Sequence, residues 1–213
     1  MIRKDARLLM LAVGMAALAG YLDVVGFLES SGFFVSFMSG NSTRLAAGLV
    51  ASPPVALIAA TLIACFVLGV IAGSVAGHLA GRYRGMCIML IVAGLLAFAS
   101  IGGVAWGSLP WLALLAVAMG AENAVFERSG DAPLGLTYMT GSLVRIGDGI
   151  AGILTGRRQR GWTAFLLLWA GLLLGAVAGA IAHPLLGTLV LWPGCAAALA
   201  LAFAAMRLTA GRQ

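Results

Sequence analysis

Two stretches of this chain are versions of one another, and together they limit the folds open to it. Ser36-Phe37-Met38-Ser39-Gly40-Asn41-Ser42-Thr43-Arg44-Leu45 in the first half returns as Thr137-Tyr138-Met139-Thr140-Gly141-Ser142-Leu143-Val144-Arg145-Ile146 in the second, with Tyr138 standing 101 positions after Phe37. Each copy sets a hydroxyl-glycine break and an arginine inside an otherwise apolar run. A bilayer tolerates such backbone and charge only where protein shields them or they line a cavity. The two stretches are the expected functional centre.

Composition gives the setting. Hydrophobic residues make up 62% of the chain and charged residues 9%, with a mean hydropathy of +1.07, outside the range of soluble domains. At about 20 apolar residues per span, the 213 residues make a single membrane domain (1–213) with no room for a soluble enzyme module. The net charge of +6 comes from arginines clustered beside apolar runs without interleaved aromatics, which fits membrane topology and argues against a nucleic-acid partner. Cys65, Cys87 and Cys195 stand alone in apolar runs, with no CxxC and no nearby His cluster. They read as structural thiols, and neither metal nor cofactor is expected.

Met1 to Ala19 has the basic start, apolar run and Ala16-Ala17-Leu18-Ala19 of a signal peptide. A counterpart run, Leu112 to Met119, recurs mid-chain, so the first segment is expected to be retained, over about 8–28. Further segments are predicted at about 55–77, 86–106, 109–126, 162–182 and 187–206. Breaks are expected at Ala51-Ser52-Pro53-Pro54 and at His183-Pro184. More features repeat. Gly69, Gly73 and Gly77 recur as Gly171, Gly175 and Gly179, which leaves one bare stripe on each of two helices where another helix can approach. Gly20 aligns with Gly120, and Asp23 with Asn123. The chain therefore divides into repeats at 1–103 and 104–213.

If the two signature stretches are broken or re-entrant, each half has three full spans, and an odd number inverts the second half. This predicts an all-α integral membrane protein of six transmembrane helices in two inverted three-helix repeats. The basic clusters at 3–7, 82–84, 128, 157–160 and 207–212 then share the cytoplasmic face with both termini. Only Arg44 and Arg145 are left over. Eight spans would move Arg82, Arg84 and Arg128 outside. Trp106, Trp111 and Trp162 suit interfacial anchoring.

Through Gly20-Tyr21-Leu22-Asp23, Phe34-Val35-Ser36-Phe37-Met38-Ser39-Gly40-Asn41, Asn123-Ala124 and Gly135-Leu136-Thr137-Tyr138-Met139-Thr140-Gly141, nearly the whole chain resembles the YoaK-like family of small bacterial inner-membrane proteins, a domain of unknown function. The resemblance implies a six-span protein of the bacterial inner membrane with an undefined transport role. The family pattern has Gln where this chain has Glu122.

A helix restarted at mid-membrane exposes unpaired N–H groups with partial positive charge. Ser39, Asn41, Thr140 and Ser142 are good capping types for such starts. Two inverted starts facing one another are a transporter arrangement for anionic or polar substrate groups. Arg44 and Arg145 lie within a turn of the breaks and call for a negative neighbour, either a substrate or the chain's own Asp23, Glu122 or Asp148. Asp23 and Glu122 serve either as proton-coupling carboxylates or as simple ion-pair partners. Asn41 and Asn123 either bond a solute or tie helices together, and His78 and His183 are assigned to interfacial solvation.

The expected function is transport of a small solute, anionic or zwitterionic, by a non-enzymatic and secondary-active protein. Ser39, Gly40, Asn41, Arg44, Thr140, Gly141, Ser142 and Arg145 form its central substrate site, and Asp23, Glu122, Asn123 and Asp148 its coupling or ion-pair set. The alternatives are a passive channel with re-entrant half-helices and a non-transporting membrane protein that meets a partner through its glycine stripes. Lipid surrounds the protein, and a homo-oligomer is compatible with the sequence.

Overall fold

The computed structural model describes residues 6–30, 32–102, 108–126, 139–157 and 161–210. Among these, every regular element is helical: α1 (Ala6–Glu29), α2 (Met38–Ala51), α3 (Pro53–Ala80), α4 (Arg84–Gly102), α5 (Ser108–Asn123), α6 (Met139–Leu154), α7 (Trp162–Leu186) and α8 (Trp192–Ala210), with single 3-10 turns at Gly81–Tyr83, Ala124–Phe126 and Gly187–Leu189. Five described stretches are long and apolar enough to cross a membrane: Ala6–Glu29, Pro53–Gly102, Ser108–Phe126, Trp162–Leu189 and Trp192–Thr209. The second has 50 residues, about 75 Å if straight, more than twice the hydrocarbon thickness. It folds back instead, because Gly81 takes φ +57° between α3 and α4, which pack against one another. By contrast, α2 (14 residues) and α6 (16 residues) fall short of the roughly 20 residues a span needs.

Two boundaries differ from expectation. The Pro53-Pro54 break behaves as predicted, with proline in the first turn of α3, where its missing N–H is harmless. Pro184, expected to end its segment, lies inside α7. It falls in the last turn and forgoes one bond to the preceding turn, while the helix runs on to Leu186 and stops at Gly187, whose φ is +51°. The chain accordingly resumes at Trp192 rather than near Gly187.

The glycine stripes explain how the helices pair. A Cβ on Gly171 would approach the Val13 carbonyl oxygen at 2.9 Å, one on Gly179 the Tyr21 oxygen at 2.6 Å, and one on Gly175 would collide with the Ala17 oxygen. These partners climb α1 as the glycines climb α7, so the two helices run parallel with their backbones touching. The other stripe does the same on α5: Gly69 meets Val117, and Gly73 meets Ala121 Cα at 2.8 Å. Gly20 and Gly120 return the contact, against Leu172 and Phe66. Thus α1 packs chiefly on α7, α3 on α5, and α4 on α8. Each stripe is filled by a helix of this chain.

The core lies along α1, α4 and α5, where Met15, Leu22, Met89, Leu96, Leu115 and Met119 are fully buried. Trp111, expected at an interface, is a core residue at 6% exposure. Outward-facing Leu57, Leu68, Ile71 and Leu79 of α3 and Leu174, Ile181 and Leu185 of α7 are exposed, as a lipid-facing surface requires.

The two ends of the bundle differ in charge. Arg7 and Arg207 line one crevice between α1 and α8, and the Gly81–Tyr83 turn packs on α8 beside them. Arg84 opens α4 there, and its Nε and Nη2 donate to the Ala124 carbonyl oxygen at 2.8 and 2.5 Å, just past α5. At the opposite end His183 Nε2 meets Glu29 Oε1 at 2.9 Å, joining the tops of α1 and α7.

Candidate functional site

Asp23 sits about 9 Å below the end of α1, counting 1.5 Å per residue, and organises the chain that follows. Its Oδ1 accepts the backbone N–H groups of Val35 (2.9 Å) and Ser36 (2.7 Å), and its Oδ2 accepts the Ser36 hydroxyl at 2.5 Å. From the other side, Asn41 accepts the Phe34 N–H at 3.1 Å through Oδ1 and donates Nδ2 to the Phe34 carbonyl at 2.7 Å. The segment between α1 and α2 is thus pinned beside α1 and satisfied by side chains, as irregular backbone in a membrane demands. Of the two roles open to Asn41, tying is the one its bonds fulfil.

The break therefore precedes the hydroxyl-glycine pair instead of lying at it. The helix start falls at Met38, with Phe37 as N-cap and no capping side-chain bond. Ser39 faces outward, while Gly40 makes room: a Cβ there would stand 2.7–2.9 Å from the rings of Phe37 and Phe34. Those rings form a cluster. Phe34 lies 5.2 Å from Phe27 in a tilted pair and 5.3 Å from Phe37 edge-on.

Beneath these rings is a cavity of about 470 Å³, with Asp23, Phe27, Phe34 and Phe37 on one side. Met139, the first residue of α6, borders it together with Leu172 and Ala176 of α7, and the exposed Phe27 and Phe37 leave it open on the outside. The space consequently joins the first signature copy to the start of the second. Ser39, Gly40, Asn41, Arg44, Thr140, Gly141, Ser142 and Arg145 are not among its described lining residues; Phe37 and Met139 beside them are.

Arg44 is partly buried and stacks its guanidinium 4.8 Å from the centre of the Phe33 ring. It fills the space over Gly32, where a Cβ would come 3.0 Å from its Cζ. Its neighbour is thus an aromatic face; none of the described carboxylates forms an ion pair with it. Arg145 and Asp148 are exposed on α6, as is Thr140, and Ser142 is buried at 5%. Asn123 donates Nδ2 to the Met119 carbonyl of its own helix at 2.9 Å. Thr137 and Tyr138 lie outside the described residues.

Glu122 is the anomaly of the interior. It is 0% exposed, and neither carboxyl oxygen has a hydrogen-bond partner. Asp23 is near enough for its charge to act there. Buried polar groups are almost always paired, so both oxygens need an explanation. Among the described residues no three His, Cys, Asp or Glu side chains group as a metal site.

Sequence reasoning passed over the three phenylalanines, because aromatics spaced through apolar runs read as packing or anchoring. It also assigned Arg84 to surface topology. The 8% exposure of Arg84 was foreshadowed only by Gly77, where a Cβ would stand 2.8 Å from the Arg84 side chain.

No solved structure gives a significant match to the chain. A UPF0700 transmembrane protein of Rhizobium meliloti (strain 1021) is 37% identical over 206 residues, covering 97% of this chain and 89% of the relative. That likeness and the apolar helices point to a membrane location. The family described as "Protein of unknown function (DUF1275)" matches residues 11–204, and the chain belongs to it.

Proposed function

We propose that this protein is a secondary-active transporter of a small solute. In this reading it has six spans in two inverted halves, 1–103 and 104–213, and sits in the bacterial inner membrane with both termini cytoplasmic. The narrower likeness to YoaK-like proteins belongs to the same proposal. Several features support it. The short α2 starts beside Asp23 and ends at the top of α3, while α6 starts level with the middle of α7 and ends where Gly149 meets Trp162 at its base. Each traverses part of the depth, from opposite sides. The arginines gathered at one end of the bundle fit a cytoplasmic face.

The observation that carries the reading is the cavity, which lies where the two repeated stretches meet, as substrate sites do in inverted-repeat transporters. Signature residues act here as builders: Asn41 holds the loop, and Gly40 admits the rings. Glu122 is the group assigned to exchange a coupling proton, since a buried intramembrane carboxyl without a hydrogen-bond partner is costly to keep for structure alone. Use of the glycine stripes to dock a partner loses its motive, because both are filled from within.

The test is flux in proteoliposomes loaded with a pH-sensitive dye and challenged with a panel of metabolites. The expected result is a solute-evoked proton movement that Glu122→Gln abolishes while the variant remains folded. Saturation-free flux indifferent to the pH gradient and to Glu122→Gln would replace the transporter by a passive channel.

A further inference from the structure

We infer that the cavity beside Asp23 recognises an organic ammonium group, held by the carboxylate under the Phe27, Phe34 and Phe37 rings. This rests on the cavity being a solute site, and it replaces the anion expected from helix starts with a cation. Three observations lead to it. First, among the described residues Asp23 has no cationic partner: no described Arg side chain pairs with it, Arg44 is engaged by Phe33, and His183 is engaged by Glu29. Its donors are all neutral, the Ser36 hydroxyl and the N–H groups of Val35, Ser36 and Phe37.

Second, the other described walls of the space are hydrocarbon or aromatic, and ring faces attract ammonium ions. Third, the only other carboxyl within electrostatic reach among the described residues, Glu122, adds no positive charge. At about 470 Å³ the space lies within the range of small-ligand pockets. The same carboxylate that pins the loop also lines this space, so one group serves both. The ammonium could belong to a free solute or to a lipid headgroup.

Binding is measured by calorimetry and thermal shift on detergent-purified full-length protein, with choline chloride against sodium chloride at equal ionic strength. Choline is expected to bind saturably and raise Tm, while its neutral isostere 3,3-dimethylbutanol binds at least about tenfold more weakly. Phe34→Leu should weaken choline about fivefold to thirtyfold. Asp23→Asn, which keeps an oxygen for the two backbone N–H groups, should reduce binding below detection. Equal binding of the neutral isostere would overturn the inference on the wild-type protein alone, even if Asp23→Asn failed to fold. So would stabilisation by acetate with no response to choline, an outcome that leaves the transporter standing. Choline binding without flux would instead sink the transporter and leave the cation site. In nanodiscs, weaker choline binding in phosphatidylcholine than in phosphatidylglycerol identifies the lipid headgroup as the source, and equal binding identifies a free solute.

Discussion

The two copies of the repeat do the same structural work and different chemical work. Gly48 packs on Ala56 at the start of α3, and Gly149 on Trp162 at the start of α7, so both short helices dock in the same way on the long helix that follows. Their polar residues diverge. Asp23 clamps a loop through three hydrogen bonds, whereas among the described residues Asn123 bonds within α5. Arg44 is stacked on a ring, whereas Arg145 is exposed. Residues that set backbone distance are kept at both sites, and residues that bear charge are free to specialise.

The strongest way to break this comparison is to attack what the halves share. Gly175→Leu and Gly73→Leu should both prevent recovery of monodisperse protein, because the added side chain meets backbone that cannot yield, beyond the ~1–3 kcal/mol of ordinary overpacking. Normal size-exclusion profiles for either would show that the close helix approach is dispensable. A smaller and asymmetric effect is expected where the copies differ. Asp23→Ala strands two backbone donors at about 1–3 kcal/mol each, while Asn123→Ala should lose under about 1 kcal/mol; equal shifts in thermal unfolding would erase the distinction. Tyr21→Phe should remove about 1 kcal/mol, since its hydroxyl donates to the Val190 carbonyl at 2.6 Å. Smallest is the arginine pair. Arg44→Ala should destabilise by about 0.5–2 kcal/mol through the lost ring contact, and Arg145→Ala by nothing measurable.

What could be read in the sequence follows the same division. Glycine spacing and apolar runs depend on geometry that recurs every turn, so the stripes, the helical architecture and the Pro53 break were legible. The partner of each stripe was not, since nothing in Gly175 names Ala17. For Asp23 the polarity was visible in advance, but its bonds go to backbone N–H groups, which leave no mark in composition. The cavity was hidden for a further reason: Phe27, Phe34 and Met139 meet only after α1, α6 and α7 have assembled. Pro184 misled because a proline inside a helix removes the bond to the carbonyl four residues earlier and can kink the helix without stopping it.

The parallel pairing of α1 with α7 and of α3 with α5 has a consequence for biosynthesis. The surface that α1 needs is translated more than a hundred residues after it, so at roughly 5–20 residues per second α1 waits on the order of ten seconds with its small-residue face unmatched, although Val35 and Ser36 reach Asp23 almost at once. Helices from the beginning and the end of the polypeptide are interlocked like clasped fingers, so no single cut along the sequence divides the bundle into two bodies that each keep their packing partners.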